Sequence, residues 1–435
     1  MTTTLPTVQI DTVLADLAAH AHARAPVASR QRRSVVHVLY GGAHLHRRGS
    51  GAKLGGLARA AMAEFGDDDR VFARLVGLTD ETLAPEVARR VREKLEREPL
   101  EKTCIDFEDG YGPRPDAEED ADAERAASAL AGEPRGGAPM VGIRIKALAP
   151  ESARRAIRTL DRFVTTLAGA TGGALPDGFT VTLPKVTRAH EVEALDSLLS
   201  SLEERLGLAA RIGIELMVET PRALLDGNGR VALPGLVAAA GGRCVAVHLG
   251  AYDLMASLGV TAGDQRLDHP ACEAARLLMQ LSLSGTGVDV VDGATTVLPT
   301  GQDTAAVHAA WALHARAIRG ALALGIYQGW DLHPAQLPAR YGAIYAFFLA
   351  QRAAMTARLR AFVEKATKAT RSGQIFDDAA TGQGLLELFV RGAACGALSA
   401  DDVAATGLGL DEMRGRSFAR IVEARALYSN DGPVR

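Results

Sequence analysis

Cysteine is scarce in this sequence. Four residues, Cys104, Cys244, Cys272 and Cys395, are spread over 435 positions with no Cys-x-x-Cys spacing, which argues against both a zinc knuckle and a disulfide framework. Cys104 and Cys244 fall inside apolar runs and read as core thiols. A long hydrophobic run is also missing: no stretch of about 18 uninterrupted apolar residues occurs that would read as a membrane span. The opening residues MTTTLPTVQIDTVLADLAAH lack the basic region and continuous apolar core of a secretory signal. A soluble, cytoplasmic protein is therefore expected. There is no basic excess either; the formal net charge of -3 gives no reason to expect nucleic acid as a partner and leaves small carboxylic acids open. Internal repeats, Pro-rich linkers and low-complexity tracts are absent. The acidic run at 116–124 reads as the solvated start of a helix.

What is present is a regular alternation. Short β-branched runs are followed by longer Ala/Leu/Arg segments of helical period, the pattern of repeated βα units and a parallel sheet. Eight such runs are counted: 34–40, 104–109, 141–147, 179–186, 212–219, 244–250, 288–293 and 325–332. Eight parallel strands predict a closed (β/α)8 barrel, which commonly takes about 250 residues. The expected organisation is an N-terminal helical segment at 1–30, a barrel at 31–345 with an insertion at 66–102, and a C-terminal helical cap at 346–435. Residues 334–370 read as one long helix at the join.

Catalytic groups in such barrels sit at the C-terminal ends of the strands. Strand two ends in Asp106, Glu108 and Asp109; strand three carries Arg144 and Lys146; strand four ends in Lys185; strand five carries Glu215 and ends in Glu219. Strand six runs into Asp253, strand seven ends in Asp289 and Asp292, and strand eight ends in Asp331 and His333. One charge at one strand end is ordinarily solvated. Charges sent to one rim by many strands must be desolvated together or satisfied by ligands, and carboxylates mixed with one Arg and two Lys suit a hard metal ion plus an anionic substrate.

The ordered motifs DFEDG, GIRIK, LPKV, VET, LGAYDL and GWDLHPAQ resemble the citrate lyase β-subunit and HpcH/HpaI aldolase superfamily, which includes malyl-CoA and citramalyl-CoA lyases. The resemblance implies a phosphoenolpyruvate/pyruvate-type barrel. It also implies a divalent ion, Mg²⁺ with Mn²⁺ as an alternative, held by Glu219 and Asp253. A 2-oxo acid such as glyoxylate, pyruvate or oxaloacetate would be the product or acceptor of a carbon–carbon lyase or aldolase. Arg144 matches the arginine that contacts the substrate carboxylate or enolate oxygen, a role its fixed cationic donors suit; pairing with Glu108 or Glu215 is the structural alternative. Glu108 is expected to orient Arg144 or to hold a metal-bound water. Lys185 is expected to balance the carboxylates and contact substrate rather than form a Schiff base. Gly250 and Ala251, in the motif that carries Asp253, are further substrate-binding candidates. For Glu219 the structural alternative is a helix N-terminal charge before Pro221, and for Asp253 an N-cap of a helix starting at Leu254.

In the tail, Gly373 to Asp377 resembles a segment whose aspartate reaches a neighbouring subunit as an acid/base group. The resemblance thus makes Asp377 a proton-transfer candidate and a homo-oligomer, a trimer or hexamer, the expected assembly. The alternative for Asp377 is a helix N-cap. The turn after strand one departs from the family: acyl-CoA-using relatives have an F-V-P-G type turn, and this chain has LYGGAHLHRRGSGAK. His44, His46, Arg47, Arg48 and Lys53 there are candidates for binding a phosphate or carboxylate, with His44 the substrate-binding choice, or else form a solvated loop. A CoA thioester and a free acid both stay open as substrate. Rival functions are malyl-thioester hydrolysis, phosphoenolpyruvate/pyruvate-type chemistry at a phosphorus bond, and a non-catalytic dicarboxylate-binding barrel. His333 reads as structural, and Trp330 as packing.

Overall fold

In a computed structural model the described residues are 34–134, 139–371, 379–414 and 417–428, with a few isolated positions before Ser34. Most of the expected N-terminal segment 1–30, and Asp377 in the tail, lie outside them. Eight strands, β1 (His37–Gly42), β2 (Lys102–Asp106), β3 (Met140–Arg144), β4 (Thr180–Leu183), β5 (Gly213–Val218), β6 (Cys244–Leu249), β7 (Asp289–Asp292) and β8 (Gln328–Asp331), pair in chain order. All are parallel, and His37 opposite Gly329 brings β8 back to β1, so the sheet is the closed (β/α)8 barrel expected.

Alternation along each strand decides which side chains face the helices. On β5, Ile214, Leu216 and Val218 join the buried layer under the surrounding helices, while Glu215 points into the barrel, where it pairs with Lys102 of β2. Opposite faces of a strand take successive side chains, so one sequence run serves both layers. Helices between strands end where the chain can turn: Gly172 and Gly207, both left-handed, stop Ala153–Thr171 and Ala189–Leu206, a conformation glycine adopts without a Cβ clash.

The apolar mass outside the barrel is divided. One layer lies under the helices that follow β2 to β6. The other joins Ser50–Phe65, Asp69–Leu75, Ala84–Arg97, Thr304–Ala323 and the 35-residue helix Leu337–Arg371 to the C-terminal helices Ala379–Ala394 and Phe418–Tyr428. Segment 66–102 therefore packs with the C-terminal helices. At that seam Arg352 and Arg90 both bind Glu86 and Asp402, with Arg352 at 2.8 and 2.9 Å. Among the described residues no helix is long and apolar enough to cross a membrane.

Inside the barrel the fill is unusually polar. Bulky branched side chains usually dominate such interiors, but here Lys102, Thr182, Glu215, His248 and Tyr40 are buried together. Thr182 donates to Glu215 at 3.0 Å, and the Tyr40 hydroxyl lies 3.3 Å from His248 Nδ1. Val38, Cys104, Ala246, Val291 and Trp330 supply the apolar part.

Candidate active site

The C-terminal ends of β2 to β6 form one charged rim, organised by Asp106. This last residue of β2 is 1% exposed and accepts the Glu108 N–H at 2.9 Å and the Gly110 N–H at 2.8 Å, tightening the DFEDG turn. Its two oxygens also take Nε of Arg144 at 2.7 Å and Nη2 at 2.5 Å. A bidentate carboxylate is the geometry that best fixes a guanidinium plane. The ring of Tyr40 supports the same guanidinium from 5.3 Å. Glu108 is 3.3 Å from Nη1 and Asp109 3.4 Å. Arg144 is thus oriented first by Asp106, with Glu108 an additional partner, and Glu215 takes no part.

Lys185, just past β4, reaches the same group. Its ammonium pairs with Glu108, and lies 3.2 Å from Asp109 and 3.9 Å from Asp253. Burial works against its charge, yet the carboxylates outweigh that and hold it above the usual lysine range. A Schiff-base lysine needs the neutral amine, so this environment opposes that role. The Lys185 backbone has φ of 52°, and its N–H donates to Glu219 Oε1 at 2.6 Å.

Glu219, one residue beyond β5, is 1% exposed and points into the barrel mouth. Thr220, not Glu219, caps Pro221–Leu224, its side chain accepting the Ala223 N–H at 3.2 Å. Burial raises the Glu219 pKa to about 8, Arg144 opposing the rise and Asp253 adding to it. Asp253 lies in the first turn of Ala251–Ser257, whose cap is Gly250. Gly250 matters by what it lacks: a Cβ there would come within 2.4 Å of Glu219 Cβ and 2.5 Å of its Oε2. Its N–H is committed to Val218 O at 3.0 Å, so the glycine makes room rather than binding substrate through its amide. Ala251 is fully buried beside it.

Other charges expected at the rim serve elsewhere. Lys146 turns outward to Phe107 O and Glu119, at 2.8 and 2.6 Å. Asp292 is gripped by Arg276 of Pro270–Leu283 at 2.6 and 3.1 Å. Asp331 is fully buried among Arg340, His314 and His37, and Asp289 is exposed at the start of β7. Asp292 and Asp331 lie one residue out of phase with the inward-facing Val291 and Trp330 of their strands, whereas Lys146 lies past the end of β3 and Asp289 at the end of β7 away from the rim. His333 caps Pro334–Gln336 by accepting the Ala335 N–H at 3.2 Å, as its sequence context predicts. Trp330 packs on Tyr40 with ring centres 4.7 Å apart. In the turn after β1, His44 lies against Tyr111 at 5.7 Å. Burial and then Arg114 lower its pKa, so it is a neutral ring near the rim's edge. Arg47 Nη1 folds back on the His44 and His46 carbonyls, both at 2.8 Å, and Lys53 falls inside Ser50–Phe65. The two residues that sequence reading undervalued are Asp106 and Tyr40. Both stand at inward-facing strand positions, the one signal that would have singled them out.

Asp106, Glu108, Asp109, Glu219 and Asp253 face Arg144 and Lys185. Five carboxylates less two cations leave three negative charges when all are ionised. Two hard oxygen donors, one of them held partly protonated by burial, fit a Mg²⁺-type ion, which keeps water in several positions and needs only one or two carboxylates. Among the described residues no group of three or more His, Cys, Asp or Glu side chains is placed to hold a metal, so any such site rests on that pair.

Residues 14–421 match a family described as Domain of unknown function (DUF6986). No curated protein matches the sequence. Among solved structures, a citrate lyase from Burkholderia xenovorans LB400 is similar over 74% of this chain and 92% of that one, at 20% identity and a TM-score of 0.53. A malate synthase from Haloferax volcanii is similar over 92% and 99%, at 16% identity and a TM-score of 0.46. An HpcH/HpaI aldolase/citrate lyase family protein from Burkholderia cenocepacia J2315 is similar over 71% and 91%, at 16% and 0.37. The likeness to the citrate lyase is one of fold, and it agrees with the superfamily resemblance in the motifs.

Proposed function

The chain belongs to the DUF6986 family, and we propose that its barrel is a divalent-metal-dependent carbon–carbon lyase or aldolase acting next to a carboxylate. The observation that carries this reading is the convergence of Glu219 and Asp253 on a rim that also presents Arg144 and Lys185. Glu219 and Asp253 would hold Mg²⁺ or Mn²⁺; when bound, the ion would supply Lewis-acid polarisation of a 2-oxo acid such as glyoxylate, pyruvate or oxaloacetate. Arg144, locked by Asp106 and Tyr40, offers a fixed cation to negative charge developing on the enolate oxygen, without reorganising during the reaction. Lys185 neutralises Glu108 and Asp109 and stands ready for a substrate carboxylate, with Ala251 and His44 at the margins of the pocket. The compound cleaved or formed would be a 3-hydroxy acid or its CoA thioester, which divides into the 2-oxo acid and the enolate of the remaining acid or thioester. Arg47 folds back on the carbonyls of the loop after β1, while Lys53 is exposed on the helix that follows, so the free acid and the thioester both stay open.

Asp377 is proposed as the proton-transfer group of a homo-oligomer working in the cytoplasm. The resemblance in the tail supports a site shared between subunits.

Thermal shift tests the reading: the protein is heated with Mg²⁺ or Mn²⁺ and with glyoxylate, pyruvate, oxaloacetate or oxalate, beside Glu219→Ala and Asp253→Ala. Stabilisation by acid and ion together, lost in both variants, is expected. Absence of any ion-dependent stabilisation in the wild type sinks the metal-dependent mechanism. Tight acid binding without release of an oxo acid from hydroxy acids would instead support the dicarboxylate-binding barrel.

A further inference from the structure

Among the described residues Lys185 is the one non-glycine residue with positive φ, at 52°. Holding a side-chain-bearing residue there costs about 1–3 kcal/mol and persists only where the surroundings over-determine it. Two sets of contacts do so. Through its backbone, Lys185 donates to Glu219 Oε1 at 2.6 Å. Through its ammonium, it pairs with Glu108, lies 3.2 Å from Asp109, and stands 3.9 Å from Asp253 Oδ2. A single strained residue therefore addresses both carboxylates to which the metal is assigned above, by different groups and from the same side.

The two contacts have different consequences. The N–H···Glu219 bond fixes one carboxylate oxygen of a buried side chain and leaves the other to a ligand. The side chain is long, flexible and 36% exposed, and the approach of its ammonium to Asp253 is the loosest of its three ionic contacts. An ammonium is a compact, strongly hydrated point charge that moves on a four-carbon stem. It supplies one positive charge to a rim that carries three more negative charges than positive when fully ionised, so it reduces that imbalance without removing it.

We propose that Lys185 is the resident counter-cation of this rim: its ammonium occupies part of the place of a divalent ion, and yields Asp253 to that ion while keeping Glu108. The inference rests on the metal reading of Glu219 and Asp253. It makes Lys185 a positioning residue that sets how tightly the ion is held and offsets the mutual repulsion of the carboxylates when the ion is absent. The strained backbone goes with this arrangement, in which the N–H and the ammonium reach the two carboxylates together.

The test uses the full chain with Lys185→Met, which keeps the stem and removes the charge, and Lys185→Gly, which also relieves the positive φ. Mn²⁺ affinity is measured by titration calorimetry, and melting temperature is measured with and without Mn²⁺. Both variants are expected to bind Mn²⁺ at least about tenfold more tightly than the wild type, because a nearby positive charge is removed. Lys185→Met is also expected to melt at a lower temperature without the ion, and both variants to gain more from adding it. Equal or weaker Mn²⁺ binding in both variants, with the wild type binding normally, overturns the counter-cation role and leaves the metal reading standing. Absence of Mn²⁺ binding in wild type and variants alike overturns both. Should Lys185→Met fold poorly, the glycine variant decides, since its backbone is the less strained.

Discussion

Asp106 holds Arg144 with both carboxylate oxygens, at 2.7 and 2.5 Å, where each residue is almost wholly buried. Breaking a buried pair by neutralising one partner strands the other charge and costs about 3–5 kcal/mol. Asp106→Asn is therefore expected to lower the free energy of unfolding, measured by urea denaturation, by an amount in that range. Asp109→Asn, which alters a carboxylate 55% exposed and 3.4 Å from the same guanidinium, should cost about 0–1 kcal/mol. Equal losses in the two variants would mean that Asp106 does not carry Arg144.

Glu219 gives the rim a pH signature. Its pKa in the folded chain is raised to about 8 from the ordinary glutamate value of 4.5, first by burial. A carboxyl raised in this way binds its proton more tightly folded than unfolded. Its contribution to stability is complete below about 4.5 and is lost as pH rises through about 8. Without metal, wild-type stability should fall across that window, and Glu219→Gln should flatten the fall. Metal binding needs the ionised carboxylate, so Mg²⁺ affinity should climb over the same range in the wild type. A pH-independent affinity up to about 8 would show that Glu219 is not a ligand.

The fold was legible because period-two and helical-period segments alternate eight times, and all eight predicted runs contain or overlap an observed strand. The rim was only half legible. Composition at a strand end does not reveal which face a side chain takes, and one step of register separates Asp106, which points inward to Arg144, from Asp331, which is turned outward to Arg340 and His314. Asp292 is lost to the outer layer for the same reason, and Lys146, beyond the end of β3, turns to Glu119. Tyr40 reads as another apolar strand residue until the closed barrel brings its ring beneath a guanidinium from β3. The positive φ of Lys185 has no sequence signal at all, because it arises from contacts made by β2, β5 and β6 together.

Gly250 offers a way to disturb the proposed metal pair without changing any charge. A methyl group there would meet Glu219 Cβ at 2.4 Å and Oε2 at 2.5 Å, closer than van der Waals contact allows, so the carboxylate must shift. Gly250→Ala is expected to retain the barrel's circular dichroism spectrum, to lose most of the stabilisation by Mn²⁺, and to lower turnover by about 10²-fold, as angstrom-scale misplacement does. Ala256→Gly, six residues along the chain on an exposed helix position, serves as the control; it should cost about 1 kcal/mol of stability and leave Mn²⁺ binding intact. Wild-type Mn²⁺ stabilisation in Gly250→Ala would remove Glu219 from the proposed ion site.

The shared-site proposal for Asp377 is open to a complementation measurement. Arg144→Ala removes the fixed cation of the rim and Asp377→Asn removes the proposed acid/base group of the tail, so each variant alone should lose turnover by at least about 10²-fold. If each site combines the rim of one subunit with the tail of its neighbour, co-refolding the two variants in equal amounts assembles some sites with both groups intact. Random mixing gives about one such site in four in a closed ring with one neighbour per rim, so turnover should recover to about a quarter of wild type. If instead each rim works with its own tail, every site in the mixture lacks one group, and activity stays at the average of the two variants. Gel filtration of the mixture, with one variant carrying a distinguishing tag, establishes that mixed oligomers formed before the activities are compared.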